Sequence, residues 1–146
     1  MVPSFLFFQM RALKQVINDF QIDVVNSHWM LPQGYIAALI KQSMGFRHIL
    51  TIHAAGLFAL RRLPFGKVMG RTIVRNSDAI YSVSSYNHEM LNDLVKKDVT
   101  VRVLPMGIHA VSFKSDEDNR NARQKLGWGS GKYILFVGKL NRSKGF

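Results

Sequence analysis

The sequence contains no cysteine. Disulfides, thiolate nucleophiles, zinc ribbons and iron-sulfur clusters are therefore excluded, and a reducing compartment is the expected home. Acidic residues are scarce: 9 Asp and Glu stand against 20 Lys and Arg, a formal charge of +11. That imbalance favours anionic partners, whether phosphates, nucleic acid or an acidic membrane surface, without choosing among them. There is no long apolar run. The opening MVPSFLFFQMRALK meets Gln9 and Arg11 after only a few apolar residues, too short a stretch to span a bilayer and without the basic leader of a signal peptide. The expectation is a cytoplasmic protein, soluble or peripheral at the inner membrane surface. The G-x-G-x-x-G, G-x-x-x-x-G-K-[ST] and G-x-S-x-G patterns are also missing, which counts against dehydrogenase, nucleotide triphosphatase and hydrolase readings.

What is present is a globular pattern, with 47% hydrophobic residues over 146 positions, enough to bury one core. Phe5, Phe8, Ala12, Leu13, Val16, Ile17 and Phe20 recur at three- and four-residue steps and predict an amphipathic helix. A β-branched run at 23–26 predicts a strand, and Pro32 suits the first turn of a second helix ending near Gly45. HILTIH at 48–53, AIYSVS at 79–84 and TVRVLP at 100–105 read as further strands. Small residues after His53 read as a loop, followed by a weaker helix from about Pro64 to Asn76; Ser84 or Ser85 caps another helix before the fourth strand. The alternation predicts a Rossmann-like parallel sheet with flanking helices, placed on both faces. Residues 114–131 look like a linker with at most a short helix near 119–126, and Tyr133–Val137 reads as a new strand.

In an open parallel sheet, ligands bind beyond the carboxyl ends of the strands. Here those ends deliver Ser27, His28 and Trp29; His53 with Ala54, Ala55 and Gly56; Ser84; Met106 and Gly107; and Gly138 with Lys139. His28 has a plain reading as a ring packed beside Trp29. His53 has the better functional case, because Ala-Ala-Gly after it leaves room for a ligand. His48 and His53 differ by an odd number of positions, so on one strand they would face opposite ways and cannot share a metal ion. Lys139 and Lys144 bracket a glycine-bearing loop and can clamp a diphosphate or simply face water. Lys67, Arg71 and Arg75, four apart on one helix side, can touch anionic lipid or face water.

Taken in order, DVVNSHWMLPQG, HILTIHAAG, SDAIYSVSSYNHEML, VRVLPMGIHAVSF and ILFVGKLNRSKGF resemble successive segments of the retaining glycosyltransferases of family 4. The resemblance implies the GT-B architecture, two Rossmann-like domains facing across a cleft, present here in incomplete form. Residues 1–110 would be the later part of the N-terminal, acceptor-side domain, 111–132 an interdomain linker, and 133–146 the first strand and phosphate loop of a truncated donor-binding domain. It implies transfer of a sugar from a nucleotide diphosphate-sugar to a hydroxyl acceptor, as in polysaccharide or glycolipid biosynthesis, with no metal. His53 would lie at the transferred sugar as the catalytic histidine, His28 and Ser84 at the acceptor or cleft side, and Gly138, Lys139 and Lys144 at the donor diphosphate. Lys139 stands where the family usually has arginine, and lysine offers no bidentate fork. Ala54, Ala55 and Gly56 replace the family's usual glycine and acidic residue, and His109 replaces an aspartate. With most of the donor domain missing, the isolated chain is expected to be inactive. The alternative is a non-catalytic basic interaction protein at a membrane surface or nucleic acid; no nucleic-acid-binding motif is present, so that partner is not expected.

Overall fold

The computed structural model describes residues 3–109, 119–138, 140, 142 and 145. They fall into two compact units, residues 1–107 and 108–146. The first begins with helix α1 (Pro3–Phe20) and strand β1 (Val24–His28), and an irregular turn at Met30–Gly34 leads into α2 (Tyr35–Met44). Strand β2 (Arg47–Ile52) is followed by α3 (Ala54–Arg62) and α4 (Gly66–Arg75), then β3 (Ala79–Ser82), α5 (Ser85–Val95) and the two-residue β4 (Arg102–Val103). The strands form one parallel sheet in the order β1-β2-β3-β4. A parallel α/β sheet with flanking helices is thus the architecture, as the alternation predicts.

The helices lie on one face, however, and not on both. Val25, Ser27, His48, Leu50, Ile52, Ile80 and Ser82 alternate inward along β1, β2 and β3. Leu50, Ile52 and Ile80 pack with Leu57 and Leu60 of α3, Ile73 of α4 and Leu91 and Leu94 of α5. A second cluster joins Ile17 of α1, Ala37 and Ile40 of α2, and Phe46, with Val25 against it. On the opposite face Val24, Asn26, His28 and Arg47 are exposed and Ile49, Thr51 and Tyr81 half-buried. The strand order explains this. Each crossover of constant hand steps the same way along the sheet, so every connecting helix lands on one side; helices on both faces require the order to reverse.

Three further expectations are corrected. The small-residue segment after His53 is the helix α3, because Leu57 and Leu60 sit one turn apart and bury completely, and that burial outweighs its single glycine. The next helix starts at Gly66, not Pro64: a Cβ at Gly66 would lie 1.7 Å from the Leu60 carbonyl oxygen, so α4 turns off α3 where a side chain has no room. The fourth strand spans only Arg102–Val103 of the expected 100–105.

In the second unit α6 (Asn119–Lys125) is the expected short helix. Tyr133–Val137 forms no ladder among the described residues; a strand exists by pairing, and no neighbouring strand is there. Tyr133 instead stacks on Trp128, 5.1 Å between ring centroids, accepts a hydrogen bond from Gly129 N at 2.9 Å, and lies under the Arg123 guanidinium.

Candidate active site

The carboxyl ends of β1 and β2 bring two histidines together. His28 closes β1 and His53 follows β2; the parallel register sets His28 opposite Thr51, and Trp29 N donates to the Thr51 carbonyl at 3.0 Å. His28 Nδ1 and His53 Nε2 are then 3.0 Å apart, with the rings tilted by 30°. Trp29, held at φ 65°, lays its indole 5.2 Å from the His53 ring centroid. Trp29 and His28 both remain solvent-accessible, and His53 is half-buried.

The residue that allows this meeting is Gly56. A Cβ there would come 2.8 Å from Met30 N and 3.3 Å from Leu31 N, so the first turn of α3 and the turn after β1 touch backbone to backbone. The room expected for a ligand beside Gly56 is therefore filled by Met30. On its other sides the His53 ring meets His28 and Trp29, 5.3 and 5.2 Å between ring centroids.

A hydrogen bond between two imidazoles needs a donor on one ring and a lone pair on the other, so the contact holds the pair at one shared proton. Burial, and then the His28 ring beside it, push the His53 imidazole below its ordinary value of 6.5. The shift favours the neutral His53 ring near neutral pH, with one nitrogen able to donate and the other to accept.

Ser84 stands at the neighbouring strand end, since Val83 N donates to the Ile52 carbonyl at 3.4 Å. Its Oγ accepts from Asn87 N at 3.3 Å and caps α5. Met106 and Gly107, with His28, Thr51 and Tyr81, border a hollow of about 380 Å³ on the open sheet face. Gly138 is exposed in the second unit; Lys139 and Lys144 lie outside the described residues. Lys67, Arg71 and Arg75 are all exposed on α4, and Arg71 Nε also donates to the Val95 carbonyl at 2.9 Å. Among the described residues no three His, Asp or Glu side chains gather as a metal site requires, and no helix is long and apolar enough to cross a membrane.

His48 is a different kind of histidine. It is fully buried, its Nδ1 donates to the Asn76 carbonyl at 3.0 Å, and its Nε2 consequently accepts from Ser27 Oγ at 2.7 Å. Asp78 binds the His48 backbone N–H with one oxygen and Lys41 with the other, each at 2.7 Å. This network pins the amino ends of β2 and β3 to α2, away from the His28–His53 pair. Residue types alone do not show His28 and His53 as a pair; the available signal is that His28 ends β1 and His53 follows β2, two strands that pair in parallel.

In open parallel α/β sheets ligands bind beyond the carboxyl ends of the strands, and that edge here carries His28, Trp29, His53 and Ser84. The sequence profile of Glycosyltransferase Family 4 matches residues 1–111, and the chain belongs to that family. It is 32% identical over 98 residues, 67% of its length, to an uncharacterized glycosyltransferase of Methanocaldococcus jannaschii. It is 26% identical over 139 residues, 93% of its length, to a putative teichuronic acid biosynthesis glycosyltransferase of Bacillus subtilis. The chain spans 28% and 35% of those two relatives.

Proposed function

We propose that this chain carries the acceptor-side half of a retaining sugar-transfer site, working on a nucleotide diphosphate-sugar and a hydroxyl acceptor. The observation that carries the reading is the His28–His53 pair at the ligand-binding edge of the sheet, in a chain of this family. A neutral His53 hydrogen-bonds hydroxyls of the transferred sugar and follows charge as it develops, without a covalent step. His28 fixes the orientation of His53 and faces the acceptor with Trp29, and Ser84 borders the same edge while capping α5. Retention follows if the acceptor hydroxyl attacks from the side on which the diphosphate leaves. Gly138 with Lys139 and Lys144 would offset the charge of the departing diphosphate.

The products fit polysaccharide or glycolipid assembly; one relative is named as a putative teichuronic acid biosynthesis glycosyltransferase. A cytoplasmic placement at the inner membrane surface fits such acceptors, with Lys67 and Arg75 reaching anionic headgroups and Arg71 contributing charge from its fixed position. The 146-residue chain spans 28% and 35% of its two relatives, and on this reading it does not transfer sugar by itself. Incubated with nucleotide diphosphate-sugars and sugar acceptors, it should release no nucleoside diphosphate above background. In a longer protein containing these segments, Lys144→Ala should weaken donor binding; unchanged donor affinity would remove the diphosphate clamp from the proposal.

A further inference from the structure

The turn between α3 and α4 and the outer face of α4 carry an excess of positive charge. Arg61, Lys67 and Lys96 line a hollow of about 480 Å³ where α3, α4 and α5 meet. Arg71, Arg75 and Lys97 join Lys96 around an adjoining hollow of about 540 Å³. Asp93 is the one carboxylate lining either, and it is shared between Lys96 and Arg61, at 2.5 and 3.6 Å. Arg75 and Lys97 have no ion pair among the described residues. α4 packs between α2 and α5, so this outward face belongs to the middle of the helix layer and not to its margin.

Helix electrostatics account for part of this charge. Cations are favoured at helix C-termini, which suits Arg75 at the end of α4 and Lys96 and Lys97 just after α5. Lys67 is different: it is the second residue of α4, where the dipole opposes a cation, and the first turn holds no acidic residue to offset it. Apolar side chains stand in water around it. Phe65 and Val68 are 72% and 61% exposed, and Leu63 is exposed as well. Val68 shares the outward side of α4 with Arg71 and Arg75, three and seven residues on. None of the three is needed for packing, because α4 already gives its apolar side to the core through Met69, Gly70 and Ile73.

We propose that this surface docks the protein on an anionic bilayer, with the cations on lipid phosphates and Leu63, Phe65 and Val68 entering the boundary between headgroups and acyl chains. The charge alone fits any polyanion. The apolar side chains set among the cations select a bilayer, where cations stay with the headgroups while neighbouring apolar groups leave water. A soluble phosphate gives Phe65 and Val68 nothing to enter, and Leu63 and Val68 offer no ring on which a nucleic-acid base could stack. With the apolar side of α4 committed to the core, contact is made by its outer face and the α3–α4 turn, and the fold does not have to open. The inference deepens the membrane placement proposed above and rests on that placement; it does not require sugar transfer.

The test is co-sedimentation of the 146-residue chain with vesicles of equal parts phosphatidylglycerol and phosphatidylcholine, against vesicles of phosphatidylcholine alone, with no sugar donor present. A chain of charge +11 is drawn to any anionic surface, so variants of equal charge are compared, each keeping the parent's circular dichroism. Lys67→Gln combined with Arg75→Gln and Lys97→Gln should lower the partition onto anionic vesicles by about tenfold or more. Arg11→Gln combined with Arg47→Gln and Arg102→Gln, all exposed on other surfaces, should lower it far less. Phe65→Ser, which leaves the charge intact, should weaken binding by about threefold or more. Inorganic phosphate at matched ionic strength should release no protein. The proposal is overturned if the two triple variants lose binding alike, or if the parent shows no preference for the anionic vesicles. It is equally overturned if Phe65→Ser binds as the parent does, which would mark a general polyanion surface, nucleic acid included, or if inorganic phosphate displaces the protein. Because no donor is present, a failure of sugar transfer has no bearing on these results.

Discussion

His48 shows how one buried polar side chain can set a pH limit on the fold. Both ring nitrogens are committed, one to the Asn76 carbonyl and one to the Ser27 hydroxyl, and that arrangement exists only in the neutral ring. Burial, the largest cause, holds His48 below its ordinary 6.5, although the Asn76 carbonyl pulls the other way. An unfolded chain takes up a proton that the folded chain refuses, so stability falls as pH drops below 6.5 and is flat in this respect above it. The Asp78 carboxyl is lowered from 3.8, first by the Lys41 hydrogen bond and then by the His48 N–H; its contribution is present above 3.8 and lost as pH falls through the folded value. Urea unfolding should therefore give a lower midpoint at about pH 5 than at about pH 7.5. His48→Leu should shrink that slope to what the lowered His53 leaves and cost about 1–3 kcal/mol by stranding the Ser27 hydroxyl and the Asn76 carbonyl. A His48→Leu protein with the parent's stability and slope would show the network to be inert.

His53 differs because its perturbation comes partly from another histidine. In a proton NMR titration its ring should titrate below 6.5, and His28→Ala should raise the midpoint by removing the like charge. Burial, the larger cause, should still keep it under 6.5. A His53 midpoint indifferent to His28→Ala would contradict the pair. The pair was not legible from residue types, since His28 had a plain packing reading and the case for His53 rested on the small residues after it; it emerges only when β1 and β2 are set in register.

Elements were legible to the extent that local pattern fixed them. The three- and four-residue spacing of α1, the β-branched core of β2 and the Ser84 cap of α5 all point one way, and each formed as read. α3 was missed because Ala-Ala-Gly is a weak helix signal, and only tertiary burial of Leu57 and Leu60 makes it helical. β4 came out short because its length depends on pairing with β3, which engages only Tyr81 and Ser82. Two substitutions test these elements. Ser84→Ala should cost about 1 kcal/mol by removing the cap on Asn87 N. Gly56→Ala should cost about 1–3 kcal/mol, because the obstruction is the Met30 backbone and not a flexible side chain. It should also change the His28 and His53 ring resonances, whereas Ser84→Ala should leave that contact in place. If Gly56→Ala left both stability and the ring signals unchanged, Gly56 would not be what seats the pair.

Over the whole first unit, the parallel layer and the strand-end location of the candidate residues could be read from the alternation of elements. The one-sidedness could not. It depends on strand order, and an order that never reverses puts every crossover on the same face. Among the described residues that arrangement leaves one sheet face without helices, in a chain that spans 28% and 35% of its two relatives. It also leaves His28 and Trp29 exposed and His53 half-buried at the carboxyl ends of β1 and β2.

The most direct measurement is transfer by a chimera in which residues 1–107 replace the matching region of the Bacillus subtilis relative, with the product's anomeric proton followed by NMR. The account predicts a product that keeps the donor's anomeric configuration, and a rate that falls by about a hundredfold or more with His53→Ala while His48→Leu changes stability and not the chemistry. A folded chimera that transfers sugar equally well with His53→Ala, or that inverts the anomeric centre, would contradict it.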